Sequence, residues 1–238
     1  TTRQNVTELQ LEHLHGIPFS TLYQSERLTT DHLHKLFDAL AVLHHLPRSS
    51  STPCVTQELL AANYVDKLRA RFLIQEDYPF PNASLYHRKC IDSLLPYVSR
   101  PIQTVPYIHG DLWFSNIILT YQHDIKWFDM KGRIMNQLTT EGDPLYDYGK
   151  LYQSVLGYDL ILYGTSISPT YRDHIRTTME HLFEQHGISV ETVYPIALAL
   201  MMGTFHAIPS LETKQRMWTW LTTRYDQMQS FPISSSLE

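Results

Sequence analysis

The feature that most constrains this chain is an octapeptide, His109-Gly-Asp-Leu-Trp-Phe-Ser-Asn116, together with two segments that follow it. A short apolar run, Ile125-Lys-Trp-Phe, ends in Asp129, and Gly142-Asp-Pro-Leu-Tyr-Asp147 then opens an amphipathic stretch. This pattern asks for a turned loop holding a carboxylate and an amide, two short strands that deliver a second carboxylate, and a helix start nearby. Gly110 suits a backbone turned tightly beside reacting groups. Asp143 precedes Pro144 at a first helical position, so it reads as an N-cap.

The spacing has a chemical logic. His-x-Asp, then Asn five residues after the Asp, then a second Asp at a strand end, is the layout of kinase-type phosphoryl transfer. Such transfer needs positioning and charge neutralisation more than covalent help. Asp111 is the expected catalytic base, orienting an acceptor hydroxyl and taking its proton. Asn116 and Asp129 are the expected Mg²⁺ ligands, because magnesium favours a few hard oxygens completed by phosphate and water. His109 and Gly110 support the loop, and Asp147 is read as a buried anchor for its backbone.

These motifs resemble the aminoglycoside phosphotransferase and choline kinase superfamily of small-molecule kinases. That family writes its catalytic loop His-Gly-Asp-x-x-x-x-Asn, and residues 109–116 match it. Asn116-Ile-Ile-Leu-Thr-Tyr121 and Ile125–Asp129 fit its two strands and metal Asp, and Gly142–Asp147 match its Gly-Asp-Pro-x-x-Asp. Leu40-Ala-Val-Leu-His44 is similar to its Leu-x-x-Leu-His helix end. The resemblance runs from about residue 8 to 160 and is densest over 109–147. It implies an ATP- and Mg²⁺-dependent phosphotransferase acting on a hydroxyl of a small molecule: a sugar, an amino alcohol such as choline, or a related metabolite. It also implies a nucleotide hinge near Glu12 and Leu14. The alternative is a non-catalytic kinase-like module that binds a ligand or partner domain.

The implied fold is mainly α with a small β component, a protein-kinase-like C-terminal lobe. Residues 1–25 would be the last strand and hinge of a nucleotide lobe, 26–232 the C-lobe, and 233–238 a tail. No glycine-rich phosphate loop occurs, and no Lys precedes Lys35. The N-terminal lobe is therefore expected to be missing, with the chain a part of a longer protein, a natural truncation or a degenerate relative.

Composition fits one enzyme domain. At 238 residues the chain can bury a sizeable core. A net charge of −5 gives no basic footprint and argues against a nucleic-acid partner. No apolar run approaches the roughly 20 residues of a membrane span. Cys54 and Cys90 form no metal or redox motif, which suits a reducing, cytoplasmic setting.

Apolar spacing predicts a helix capped at Thr30 or Asp31 and burying Leu33, Leu36, Phe37, Leu40 and Leu43. Further helices are predicted over about 56–75, 84–98, 144–156, 170–186, 190–207 and 211–229. A strand is expected over 6–14, broken by Gly16 and Pro18. Lys131 and Arg133 flank Gly132 just past the metal Asp and suit phosphate or an anionic acceptor, or a solvated turn. Trp113 suits stacking on an acceptor, or packing of the loop. Trp218, Trp220 and Tyr225 are at helical spacing, with core as the default.

Overall fold

The computed structural model describes residues 12–48, 54–74 and 78–229. Helices dominate, and a small sheet flanks the 109–116 loop. Strand β1 (Gly16–Pro18) pairs antiparallel with β2 (Ile117–Thr120), which pairs antiparallel with β3 (Ile125–Trp127). The expected strand over 6–14 lies largely outside the described residues, and 12–14 are coil. The strand instead occupies the Gly16–Pro18 segment that was read as its break. Proline fits there because β1 is an edge strand, where a missing N–H is tolerated. Gly16 fits because a Cβ at that position would sit 2.3 Å from the Leu119 carbonyl oxygen across the ladder.

A short helix that apolar spacing did not reveal, α1 (Phe19–Gln24), follows directly, and α2 (Thr30–His44) comes next. The α2 cap is Thr29, one residue earlier than expected, and its side chain accepts from the His32 N–H. The five expected apolar residues of α2 are all buried. Helices α3 (Gln57–Phe72) and α4 (Ala83–Val98) then lead to the catalytic loop. After β3 comes a two-stranded hairpin, β4 (Arg133–Ile134) with β5 (Gln137–Leu138), too short to leave an alternating signal.

Helix α5 (Pro144–Val155) starts at the Gly-Asp-Pro motif. Every residue from Tyr146 to Val155 is buried, because neighbouring helices cover it on all sides. Those neighbours include α6 (Tyr158–Tyr163), α7 (Pro169–Gln185) and α8 (Val190–Met202). The predicted 144–156 helix thus ends one residue early, and α6 is a separate element after Gly157. The predicted 190–207 helix stops at Met202 and continues as a 3-10 turn, Phe205–Ala207. Helix α9 (Leu211–Gln229) ends the described chain.

The core has two parts. One gathers α1, α2, α5 and α7 with Leu112, Phe114 and Ile117 of the loop and β2. The other gathers α3, α4, α8 and α9 with Ile134, Tyr146 and Tyr158. Trp218 and Tyr225 belong to this second core, whereas Trp220 is only partly buried and carries Arg224 over its ring. Helix α5 contributes to both parts, so the catalytic loop that rests on it sits at their junction. No helix among the described residues is long and apolar enough to cross a membrane.

Candidate active site

The loop is held by two buried side chains. Asp147, fully buried in the first turn of α5, accepts from the backbone N–H of His109 at 2.8 Å and of Gly110 at 2.7 Å. Its Oδ2 also accepts from His44 Nε2 at 3.1 Å, so the end of α2 braces the same anchor. The buried Asp147 thus meets the loop backbone and His44 at once. The Leu-x-x-Leu-His pattern marked that histidine without assigning it a partner.

His109 is the second holder. It is fully buried, and its Nε2–H donates to the Phe128 carbonyl at 2.9 Å while Nδ1 accepts from the Asp111 N–H at 3.3 Å. Both ring nitrogens are used in the neutral form. Burial is the main cause that lowers its pKa, against the opposing pull of Asp147 and the Phe128 carbonyl. The ring is therefore structural.

These bonds fix Asp129 from both sides. Before it, the Phe128 N–H donates to the Asn116 carbonyl at 3.2 Å. After it, the Lys131 N–H donates to the His109 carbonyl at 2.9 Å. Asp129 itself is exposed and takes a left-handed backbone, φ +62°. This conformation explains why β3 ends at Trp127 rather than at Asp129. It is uncommon for a non-glycine residue, and Asp tolerates it better than most.

The Asn116 Nδ2 donates to the Asp111 carbonyl at 2.9 Å, which orients the amide and closes the loop on itself. The amide oxygen is then the atom left to meet a cation. Asn116 and Asp129 offer hard oxygens suited to magnesium, which takes few protein ligands when phosphates and water supply the rest. Among the described residues no group of three or more His, Cys, Asp or Glu side chains is arranged as a metal cage.

Asp111 is partly exposed and ion-paired with Lys150, whose Nζ lies 2.9 Å from Oδ1. Lys150 was missed by the sequence reading. Its signal was positional: it lies three residues after Asp147 on the same helix and so shares its face. Gly110 has φ +77°, and a Cβ there would meet the Lys131 Cβ at 3.0 Å. Lys131 thus lies over the catalytic loop.

The other expected residues fall into place around this loop. Trp113 is partly buried and packs edge-on against Tyr158, centroids 5.5 Å apart, which favours loop packing. Arg133 is exposed on β4, and with Lys131, Gly110 and Tyr146 it lines a small cavity. Glu12 is exposed and Leu14 partly buried in the coil that leads into β1. Asp143 caps α5, accepting from the Leu145 N–H at 2.8 Å, and its other oxygen accepts from the hydroxyls of Tyr64 and Tyr97. Asp159 is fully buried behind the loop; burial pushes it up to about 6, against hydrogen bonds from Ser154 and Ser115 and the charge of Lys150.

A loop of this shape, braced by the first turn of a helix and followed by an exposed carboxylate just past a short strand, on a mostly helical body, belongs to a kinase-like fold. Among solved structures, glucosamine kinase in complex with glucosamine, ADP and inorganic phosphate matches 90% of this chain with a TM-score of 0.56 at 10% identity. A second crystal form of glucosamine kinase matches 90% of the chain with a TM-score of 0.55 at 10% identity, over 58% of its own length. An aminoglycoside phosphotransferase from Streptomyces rimosus, in complex with ADP and streptomycin, matches 76% of this chain and 67% of its own at 19% identity, TM-score 0.45. The chain spans 57% of the length of the first glucosamine kinase structure. No protein-family model and no curated protein sequence matches it. At these identities the likeness establishes the fold, and function has to be argued from the site.

Proposed function

We propose that this chain carries the catalytic and metal-binding part of an ATP- and Mg²⁺-dependent phosphotransferase whose acceptor is a hydroxyl of a small molecule. The observation that carries this reading is the clamp on Asp129, which the backbone of His109, Asn116 and Lys131 ties to the catalytic loop on both sides. The segments that cover the nucleotide phosphates in such kinases have no match in this sequence, so the reading assigns them to a further lobe of a longer protein.

In the reaction, the acceptor hydroxyl oxygen attacks the γ-phosphorus, the bond to the β–γ bridging oxygen breaks, and ADP leaves. Asp111 orients the hydroxyl and takes its proton. Lys150 holds the Asp111 carboxylate in place through one oxygen, leaving the other for the acceptor. Asn116 and Asp129 would hold Mg²⁺, which would neutralise charge on the phosphates. The neutral His109 and the buried Asp147 keep these groups in register.

The test is phosphoryl transfer from ATP–Mg²⁺ to a panel of hydroxyl compounds, by the full-length protein and its Asp111→Asn variant. Turnover is expected to fall by roughly 10²–10⁴ in the variant, the usual scale for a positioned base. Nucleotide affinity should change less than twofold. Turnover that survives in Asp111→Asn places the base elsewhere. Ligand binding without any transfer by the parent would favour a non-catalytic kinase-like module.

A further inference from the structure

Beside the catalytic loop the structure concentrates positive charge. Lys67 on α3 donates from Nζ to the Tyr146 hydroxyl at 2.9 Å and sits 5.4 Å from the centre of that ring. Lys131 sits 5.3 Å from the centre of the same ring. The two amines thus flank one ring, close enough for the charge of Lys131 to act on Lys67. Lys150, on Asp111, and Arg71, which donates to the Gly203 carbonyl, are near enough to act on both.

The carboxylates that face this group are few. Asp111 is already engaged by Lys150, and Asp159 acts on Lys150 from behind the loop. Asp143 and Asp147 are occupied by tyrosine hydroxyls, His44 and backbone N–H groups. Burial first, then the charge of Lys131, pushes Lys67 down to about 5. Amines are not held this close in a half-buried site without cause, since desolvation and mutual repulsion both oppose it.

A second observation comes from the next turn of α3. Asn63 is buried, and its Oδ1 has no hydrogen-bond partner. It lines the small cavity that also touches His109, Gly110, Lys131 and Tyr146. An orphaned buried amide oxygen marks a place where a donor is missing, and the cavity beside it, about 10 Å³, has room for one water between Asn63 and Lys131.

We propose that the acceptor is an anionic hydroxyl compound, its phosphate or carboxylate held by Lys67 and Lys131 beside Tyr146 and its reacting hydroxyl presented to Asp111. This rests on the phosphotransferase reading for the role of Asp111, but the anion site stands on the lysine pair alone. A bound anion relieves the mutual repulsion and gives each ammonium group a charge-assisted hydrogen bond. The same chemistry would suit a phosphate of the nucleotide, so the test separates the two.

Calorimetric titration of the protein with glucose 6-phosphate, gluconate and inorganic phosphate is compared with glucose, glucosamine and choline. At least one of the anions is expected to bind tenfold tighter than every neutral or cationic probe. Lys67→Met should weaken it at least tenfold, with ADP–Mg²⁺ affinity unchanged within twofold. The variant removes a poorly solvated amine, so its thermal midpoint should equal or exceed that of the parent, and inorganic phosphate should raise the midpoint of the parent only. Equal binding of neutral or cationic probes, or anion affinity unaltered in both Lys67→Met and Lys131→Met, overturns the proposal. So does one-for-one competition between the anion and ADP–Mg²⁺, which assigns the lysines to the nucleotide. Because binding is read without transfer, a protein that binds anions but transfers no phosphoryl group sinks the catalytic reading and leaves the anion site standing.

Discussion

Replacing Asp147 with alanine tests how the catalytic loop is held. The substitution removes the acceptor for three buried donors: the His109 and Gly110 N–H groups and His44 Nε2. Each buried donor left unsatisfied costs about 1–3 kcal/mol. Simple addition gives roughly 3–9 kcal/mol, but loop relaxation and water entry reduce the total. The expected loss is about 3–5 kcal/mol, in the lower half of that sum. In a domain of this size about 2–4 °C of melting temperature accompanies each kcal/mol, so the midpoint should fall by roughly 6–20 °C.

The assay is urea denaturation, where a lower midpoint with an unchanged slope reports stability alone. A cycle with His44→Ala separates the side-chain bond from the two backbone bonds, and the pair should couple by about 0.5–3 kcal/mol. Amide exchange at Gly110 should quicken in Asp147→Ala and not in His44→Ala. A loss below about 1 kcal/mol, or protection of the Gly110 amide that outlives the carboxylate, would refute the view that Asp147 holds the loop.

Two other predictions accompany it. Asp159 has a folded-state pKa of about 6, above the roughly 3.9 of an unfolded chain, so its contribution is present below about pH 4 and lost as pH rises through 6. Asp159→Asn should therefore gain on the parent by up to about 3 kcal/mol between pH 4 and pH 7 in denaturation series, at 1.36 kcal/mol per pKa unit, and a flat difference would contradict the cause given. Gly110→Ala should cost about 1–2 kcal/mol from its left-handed backbone alone, and displacement of Lys131 should cut turnover more than nucleotide affinity, as steady-state kinetics would read.

The sequence by itself determined the turned loop at 109–116, the carboxylate that follows β3, the Asp143 cap and the apolar face of α2. These features are local: their residue types are set by spacing, turn geometry or capping within one turn or one hairpin. Even the burial of Asp147 was legible, because a carboxylate in the first turn of an apolar helix needs donors. Tertiary structure alone decided where the chain's distant parts meet. The fold assigned β1 to the Gly16–Pro18 segment because an edge strand accepts a proline and a close ladder accepts a glycine. It joined His44 to Asp147 across 103 residues. It placed Lys67 beside Lys131, and Lys150 on Asp111, from three different elements. No periodicity records such meetings, since like charges far apart in sequence show their conflict only when packing brings them to one ring.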